Sequence, residues 1–505
     1  MEEKPVIAIY DVRGIQDYIF RTNALKEIVG ASLIVDNLII DEFKNASKNF
    51  EPKEIILDWE NAGELQFETN TSIKIEVLYY GGGNLVVLFR NEDICKKVSI
   101  EMSKNIIKNA YGLSLAYAYV EKTANYQSDW KNLKDELAKV KATTPLNKPV
   151  GVIPIVQYDN ITGLPLSQEI EIDGRSKKIT YEAWQKIKKY ESIKDDGFMK
   201  EFDQMRTSKE EGLIAIVHID GNSMGQNIGS IMKEANNYKE ATRRMRKISN
   251  DIHNVFEKNA IDEVKEALPE ICKSHGVEKL CTNKLPFRKI IQAGDDITFV
   301  CNERISLDIT QVYINAIRKG YMYDEKYPFS ACAGIAIIHS HFPFYKGYKI
   351  AEECCQTAKT RAKSEEGKVD EKIGNYVDFQ YCYSGNIVEL ETLRETNYTN
   401  IEGKNLIKRP YGIFNENDKI TENQKGYDIK NFENDLENIK NISRTTAKAL
   451  RDEYYKTEAN VNTMIKRLKM KDKNFKLDKA FENNTAKYYD ALEFLDIYAK
   501  RGGTK

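Results

Sequence analysis

The chain has 505 residues, 41% of them hydrophobic and 10% aromatic, a globular composition that excludes a disordered chain. Lysine plus arginine (76) nearly balances aspartate plus glutamate (77), so the net charge of -1 excludes a global basic footprint for nucleic acid and leaves only local contacts. No apolar run is long enough to cross a bilayer, and the acidic start MEEKPVIAIYDV enters a strand rather than a signal peptide; a cytoplasmic protein of roughly two to four domains, with no membrane partner, is expected.

The chain opens on an apolar strand, PVIAIYD at 5–11, followed by a helical stretch from about Gly14 to Lys48. Strands IKIEVLYY and LVVLF meet at Gly81-Gly82-Gly83-Asn84, a helix covers roughly 92–110, and the strand SLAYAYV closes the unit. A charged helix (SDWKNLKDELAKV), a turn-rich piece (QYDNITGLPLSQE) and another helical stretch (ITYEAWQKIKKYE) then read as a linking segment. The opening plan returns with LIAIVHID, ending at Asp220, and a helical pattern over about 237–258. Two strands flank Ala293-Gly294-Asp295-Asp296, a helix covers about 307–319, and FSACAGIAII completes the copy. Short strands rich in valine and isoleucine, with helical spacing near 3.6, spell β-α-β-β-α-β twice. After about 386 the composition shifts to lysine, asparagine and glutamate with spaced apolar residues, as in ISRTTAKALRDEYY, the pattern of small packed helices. The expected fold is α+β: two ferredoxin-like units at 1–125 and 211–385, a linking subdomain at 126–210 and a helical C-terminal domain at 386–505.

The eight cysteines are scattered, with no C-x-x-C pair, a reduced intracellular pattern. Cys272, His275 and Cys281 include two thiols and an imidazole within ten residues, but a fourth zinc ligand at the usual spacing is missing.

The chemistry concentrates in the second copy. Laid side by side, Asp11 of the first copy corresponds to Asp220, and Gly83 and Asn84 correspond to Asp295 and Asp296. One copy keeps the acid pair and the other lacks it, so the first unit is the degenerate one. Carboxylates from two neighbouring strands make an oxygen-only site suited to Mg²⁺ or Mn²⁺, the cations of two-metal phosphoryl and nucleotidyl transfer. Asp-Asp and Asp-Gly-Asn are also ordinary turn signals; the pairing across strands is what points to a metal. The small polar run Gly221, Asn222, Ser223, Met224 and Gly225 leads into a helix whose amides can cradle phosphate, and Gly294 lets the acid turn tighten. Gly82, Gly83 and Asn84 would lend a second nucleotide pocket. In IAEECCQTAKTRAKSEEGK, Lys359 and Lys363 are four residues apart and share a helical face. They suit either a triphosphate tail or a plain solvated helix end.

In this order the motifs resemble the large palm-containing subunit of type III CRISPR effectors. GIQDYIF followed by LKEIVGASLIV resembles that family's first-palm signature, GGGN its inactive hairpin, HIDGNSMG its first acidic motif and AGDD its Gly-Gly-Asp-Asp hairpin. The run from CAGIAIIHSHFPF to CCQTAKTRAK resembles its closing strand and lysine helix, and TGLP at Thr162 to Pro165 part of its linking subdomain. The resemblance covers roughly 6–370. It implies a nucleotidyl cyclase that makes cyclic oligoadenylates from ATP as antiviral messengers, with Asp220, Asp295 and Asp296 catalytic. Its metal set is taken as those three residues together with Ile219. The implied partners are ATP as substrate, and guide-RNA effector subunits, target RNA or a second copy of the chain (a homodimer).

Three departures stand out. Ala293 replaces the first glycine, the cysteine cluster between the palms is missing, and no His-Asp pair occurs anywhere, so a metal-dependent DNase is not expected. Two other readings stay open at this level. One is a palm-pair scaffold with weak or no catalysis; the other is a synthase making cyclic dinucleotides.

Overall fold

The computed structural model describes residues 4–61, 63–143, 154–172, 175–193, 197–199, 202–207, 212–281, 284–383, 389–471 and 475–499. The domain boundaries drawn at 210 and 385 fall outside them.

The first unit runs β1 (Val6–Arg13), α1 (Ile15–Phe20), α2 (Leu25–Val35), α3 (Leu38–Ala46), β2 (Ile55–Ile56), β3 (Ile75–Gly81), β4 (Asn84–Phe89), α4 (Glu92–Asn109), β5 (Ser114–Glu121) and α5 (Tyr126–Thr143). The helical stretch expected from Gly14 to Lys48 is three helices rather than one. The breaks fall at Ala24, in extended backbone, and at Asn37, which is off the helical conformation. The sheet order is β2-β3-β4-β1-β5. Its last four strands, in the order second-third-first-fourth, are the ferredoxin-like arrangement. The helix α5, read from sequence as part of the linking segment, packs on β5 and β1 of this sheet.

The linking segment contributes the hairpin β6 (Leu166–Ile172) and β7 (Arg175–Thr180), then α6 (Tyr181–Glu191) and the short α7 (Phe202–Met205). Its turn at Thr162 to Pro165 is tied by Asp159, whose carboxylate accepts from the Thr162 amide and hydroxyl at 2.8 and 2.7 Å. The second unit runs β8 (Leu213–Gly221), α8 (Met224–Lys233), α9 (Tyr238–Ile252), a π-helical turn at His253–Asn259, α10 (Ala260–Ser274), β9 (Phe287–Ala293), β10 (Asp296–Cys301), α11 (Ser306–Ile317), the small hairpin β11 (Tyr321–Met322) and β12 (Tyr327–Pro328), then β13 (Ala331–His339) and α12 (Phe344–Lys363). Its strand order repeats that of the first unit, β13-β8-β10-β9, and β14 (Tyr376–Tyr381) adds in parallel to β13. From the C-terminal region β15 (Tyr411–Gly412) extends the same sheet.

The rest of that region is helical: α13 (Leu390–Asn397), α14 (Glu422–Gly426), α15 (Ile429–Ile439), α16 (Arg444–Tyr454), α17 (Glu458–Lys471) and α18 (Tyr489–Tyr498), with two-residue strands β16 (Phe481–Glu482) and β17 (Thr485–Ala486). It is tied to the second unit by a buried charge network. Arg409 donates to Asp490 at 2.5 Å and Glu493 at 2.9 Å on α18, and to Gln380 of β14 at 3.2 Å.

Strand β8 is buried almost end to end, which explains its apolar run, interrupted at His218. Pleating sends Ile216, His218 and Asp220 to the face covered by α12 and Ile219 to the other; Ile216 lies against Gly347 and His218 against Tyr348 of that helix. The helix sits hard on the sheet because Gly334 of β13 has no side chain: a Cβ there would fall 1.9 Å from the Ala351 carbonyl oxygen. The cysteines depart from the reduced pattern at one place, where Cys272 and Cys281 form a disulfide. Cys95, Cys301, Cys332, Cys354, Cys355 and Cys382 are free and buried. Among the described residues no helix is long and apolar enough to cross a membrane.

Candidate active site

Strand register brings the acids together. Asp220, near the end of β8, is the cross-strand partner of Asp296, the first residue of β10, and Asp296 in turn pairs with Ala293 across the tight turn. The first unit repeats this register: Asp11 partners Asn84, and Asn84 partners Gly81. The sequence alignment of the two hairpins therefore holds residue for residue. Both turns use left-handed glycine, with φ of 67° at Gly294 and 57° and 75° at Gly82 and Gly83. The two tips meet, since a Cβ on Gly294 would lie 3.8 Å from the Gly82 amide nitrogen. Between the units lies a cavity of about 960 Å³, lined at one side by Gly82, Gly83, Asn84, Gly294 and Asp295, with Gly225 of α8 close by.

Gly221 couples the two acidic motifs. Its amide donates to the Asp295 carbonyl at 3.2 Å, and a Cβ in its place would lie 2.8 Å from Asp295 Oδ2. Burial, then the charge of Asp220, pushes the carboxyls of both Asp295 and Asp296 up to about 7. For Asp296 a further contribution comes from Glu352, a carboxylate of α12 that the sequence reading missed. Tyr348, Glu352 and Lys359 are spaced four and seven apart, which sets them on one face of α12; the face was legible as far as Lys359 but had not been followed back.

Lys359 meets the acids directly. It forms an ion pair with Asp220 and donates to the Gly221 carbonyl at 3.1 Å. A cation thus already sits on one carboxylate and one backbone oxygen. That oxygen belongs to Gly221, whereas Ile219, named with the metal set, has its side chain wholly buried on the opposite face of the sheet. Lys363, one turn further, is exposed. The first unit carries the same device, an ion pair from Lys141 of α5 to Asp11. Extending the repeat by one helix would have revealed it.

The phosphate-cradle residues divide. Met224 and Gly225 open α8, and Ser223 caps it in a left-handed conformation with φ of 54°. Asn222 is buried and its amide donates to the Gly374 carbonyl at 3.1 Å, so it braces the loop. Asn84 donates to the Gly82 carbonyl at 2.9 Å and ties its own turn.

Among the described residues no three His, Cys, Asp or Glu side chains form a ready-made metal cage. The donor chemistry nonetheless fits a hard divalent cation. The available groups are carboxylate and carbonyl oxygens, two of the carboxyls are destabilised as anions, and an ammonium stands where positive charge is favoured.

The family model for the second palm domain of Cas10/Cmr2 matches residues 213–369. Comparison with curated proteins gives no match. Among solved structures, the crystal structure of Csm1 in T. onnurineus aligns with 99% of this chain and 70% of its own at 14% identity and a TM-score of 0.57. A Csm1-Csm4 cassette in complex with cA4 aligns over the same shares at 14% identity and a TM-score of 0.55. The cassette in complex with one ATP does so at 15% and 0.54. At such identity the likeness speaks for the fold, which is that of a palm pair with helical regions.

Proposed function

We propose that this Cas10-like palm-domain protein is a nucleotidyl cyclase that joins ATP units into a cyclic oligoadenylate for antiviral defence. The observation that carries the reading is the meeting of Asp220, Asp295, Asp296 and Lys359 at the end of the second hairpin, where Asp295 and Gly294 line a cavity shared with the first hairpin tip. In the reaction a 3′-oxygen attacks an α-phosphorus, the bond to the β-phosphate oxygen breaks, pyrophosphate leaves, and the hydroxyl proton passes to solvent. Asp220, Asp295 and Asp296 would hold Mg²⁺ or Mn²⁺, with the Gly221 carbonyl as a further oxygen. When bound, such ions neutralise the triphosphate and acidify the attacking hydroxyl.

The chain's own residues do the rest. Lys359, released from Asp220, would turn its charge to the triphosphate. The α8 amides from Met224 face the phosphates. The first hairpin, with Gly82, Gly83 and Asn84, forms the wall against which a second nucleotide rests. It has no acid pair, so we assign catalysis to one palm only. The ligands named for the Csm1 cassettes, cA4 and ATP, and their Csm4 partner belong to those proteins; through the shared fold they support ATP as substrate and an effector subunit as partner here. The test is pyrophosphate release from ATP with Mn²⁺ and mass spectrometry of the product. Asp295→Ala with Asp296→Ala should abolish both, and product at the wild-type level from that double variant would end the proposal.

A further inference from the structure

We propose that His218 is the positioning residue for Asp296: its Nδ1 donates to the carboxylate and fixes the direction from which that carboxylate meets a cation. The inference rests on the reading of Asp296 as a cation ligand. His218 interrupts an otherwise apolar strand two residues before Asp220, and pleating puts it on the acid face. It is the cross-strand partner of Thr298, which places it diagonally from Asp296. Its Nδ1 lies 3.0 Å from Thr298 Oγ1 and 3.3 Å from Asp296 Oδ1. That carboxylate oxygen is buried and has no hydrogen-bond partner, and the imidazole nitrogen 3.3 Å away is placed to supply one.

An ionised carboxylate only accepts. The proposal therefore requires the tautomer with the proton on Nδ1, shared between Asp296 Oδ1 and the Thr298 hydroxyl oxygen. The charged groups around the ring are Asp220 and Asp296 on the sheet and Glu352 and Lys359 on α12.

What holds the ring comes partly from the other palm. Tyr348 of α12 packs edge-on against His218, with centroids 5.8 Å apart and planes at 79°. Its hydroxyl accepts from Gln16 Nε2 at 3.0 Å, and its ring lies 4.4 Å from that of Phe20. Gln16 and Phe20 both belong to α1 of the first palm. The first palm therefore braces an acid of the second through Tyr348 and His218, a task separate from holding a nucleotide. A histidine that merely fills the core would affect stability alone. A positioning residue sets cation affinity, because losing the partner that orients a ligand typically weakens metal binding by about 10–100-fold.

The experiment is Mn²⁺ titration calorimetry at pH 8 on the full chain and its variants, without nucleotide, so that turnover does not enter. His218→Leu keeps bulk and removes the donor; it should weaken Mn²⁺ binding by about 10–100-fold. His218→Asn places an amide nitrogen where Nδ1 was and should bind nearly as the wild type does. His218→Gln reaches the Nε2 position instead and should behave like the leucine variant. Should His218→Leu fail to fold, the asparagine–glutamine pair still decides. Equal affinity in wild type and His218→Leu, or equal loss in Asn and Gln, overturns the proposal. The reading of the site fails differently: the wild type then binds no Mn²⁺, or Asp296→Ala binds it as well as the wild type does, and the proposal falls with it.

Discussion

Replacing Asp295 and Asp296 by asparagine should stabilise the metal-free protein, and by more as pH rises. Both carboxyls stand at about 7 in the fold, against an ordinary value of 3.8. A carboxyl with a raised pKa holds its proton more tightly in the folded chain than in the unfolded one. Its contribution to stability is complete below about pH 4 and is lost as pH rises to about 7. Full desolvation would set the loss at about 4 kcal/mol for each group. A third of the Asp296 side chain meets solvent, however, at 34% exposure, and both groups feel the same Asp220. Screening and this overlap leave about 1–2 kcal/mol for the pair. For a domain of this size that is about 2–8 °C in Tm. The assay is thermal unfolding in chelator at pH 4, 6 and 8. The wild type should lose ground against the double asparagine variant from pH 4 to pH 8, and Mn²⁺ should restore the wild type alone at pH 8. Parallel melting curves across that range would refute a shared, desolvated acid site.

Lys359→Met should bind Mn²⁺ more tightly than wild type without nucleotide, since the ammonium no longer competes for Asp220, yet its KM for ATP should rise about ten- to a hundred-fold; steady-state kinetics beside calorimetry reads both signs. Lys363→Ala should have a much smaller effect in the same assays, because that side chain is exposed a turn away. Gly221→Ala should cost about 1–3 kcal/mol and most of the Mn²⁺ binding, because the new methyl meets Asp295; urea unfolding and calorimetry check the two. Arg409→Met should cost about 3–5 kcal/mol by leaving Asp490 and Glu493 buried without their cation, and it should show as an earlier urea transition.

The parts legible in the sequence were those written in local pattern. Two copies of a strand-hairpin-strand order gave the palm pair, and matching turn positions gave Asn84 opposite Asp296 in role. What escaped depends on contacts between elements far apart in the chain. Glu352 and Tyr348 look like any residues of an amphipathic helix until Gly334 lets α12 lie on the sheet and turns that face to the acids. Lys141 was hidden because the repeat was stopped one helix early. Ile219 turns its side chain away from the acids because pleating alternates faces. Asn222 looked like a phosphate contact, but its amide is spent on the Gly374 carbonyl. The disulfide between Cys272 and Cys281 joins the end of α10 to the turn beyond it, a closeness that spacing alone does not give.

The twin units also explain why one cation centre, rather than two, is expected. Each palm holds a strand-end aspartate paired with a lysine from its closing helix, Asp11 with Lys141 and Asp220 with Lys359. In the first palm the cross-strand partner is the neutral Asn84, so one lysine balances one carboxylate and the site is electrically complete. In the second, Asp295 and Asp296 stand beside the pair, and one ammonium faces several acids. Burial first, and then this excess negative charge, drives both carboxyls up in the metal-free chain. That charge is also what a divalent ion would relieve, at the cost of two protons. Cation binding at the second palm should therefore release protons below pH 7, where both acids still hold them, and few above pH 8. The first palm, with Asn84 in place, should contribute none. Titrating Asn84→Asp beside the wild type separates the two halves, since a new acid next to Asp11 should create a second proton-coupled binding step only if the missing carboxylate is what silenced the first palm.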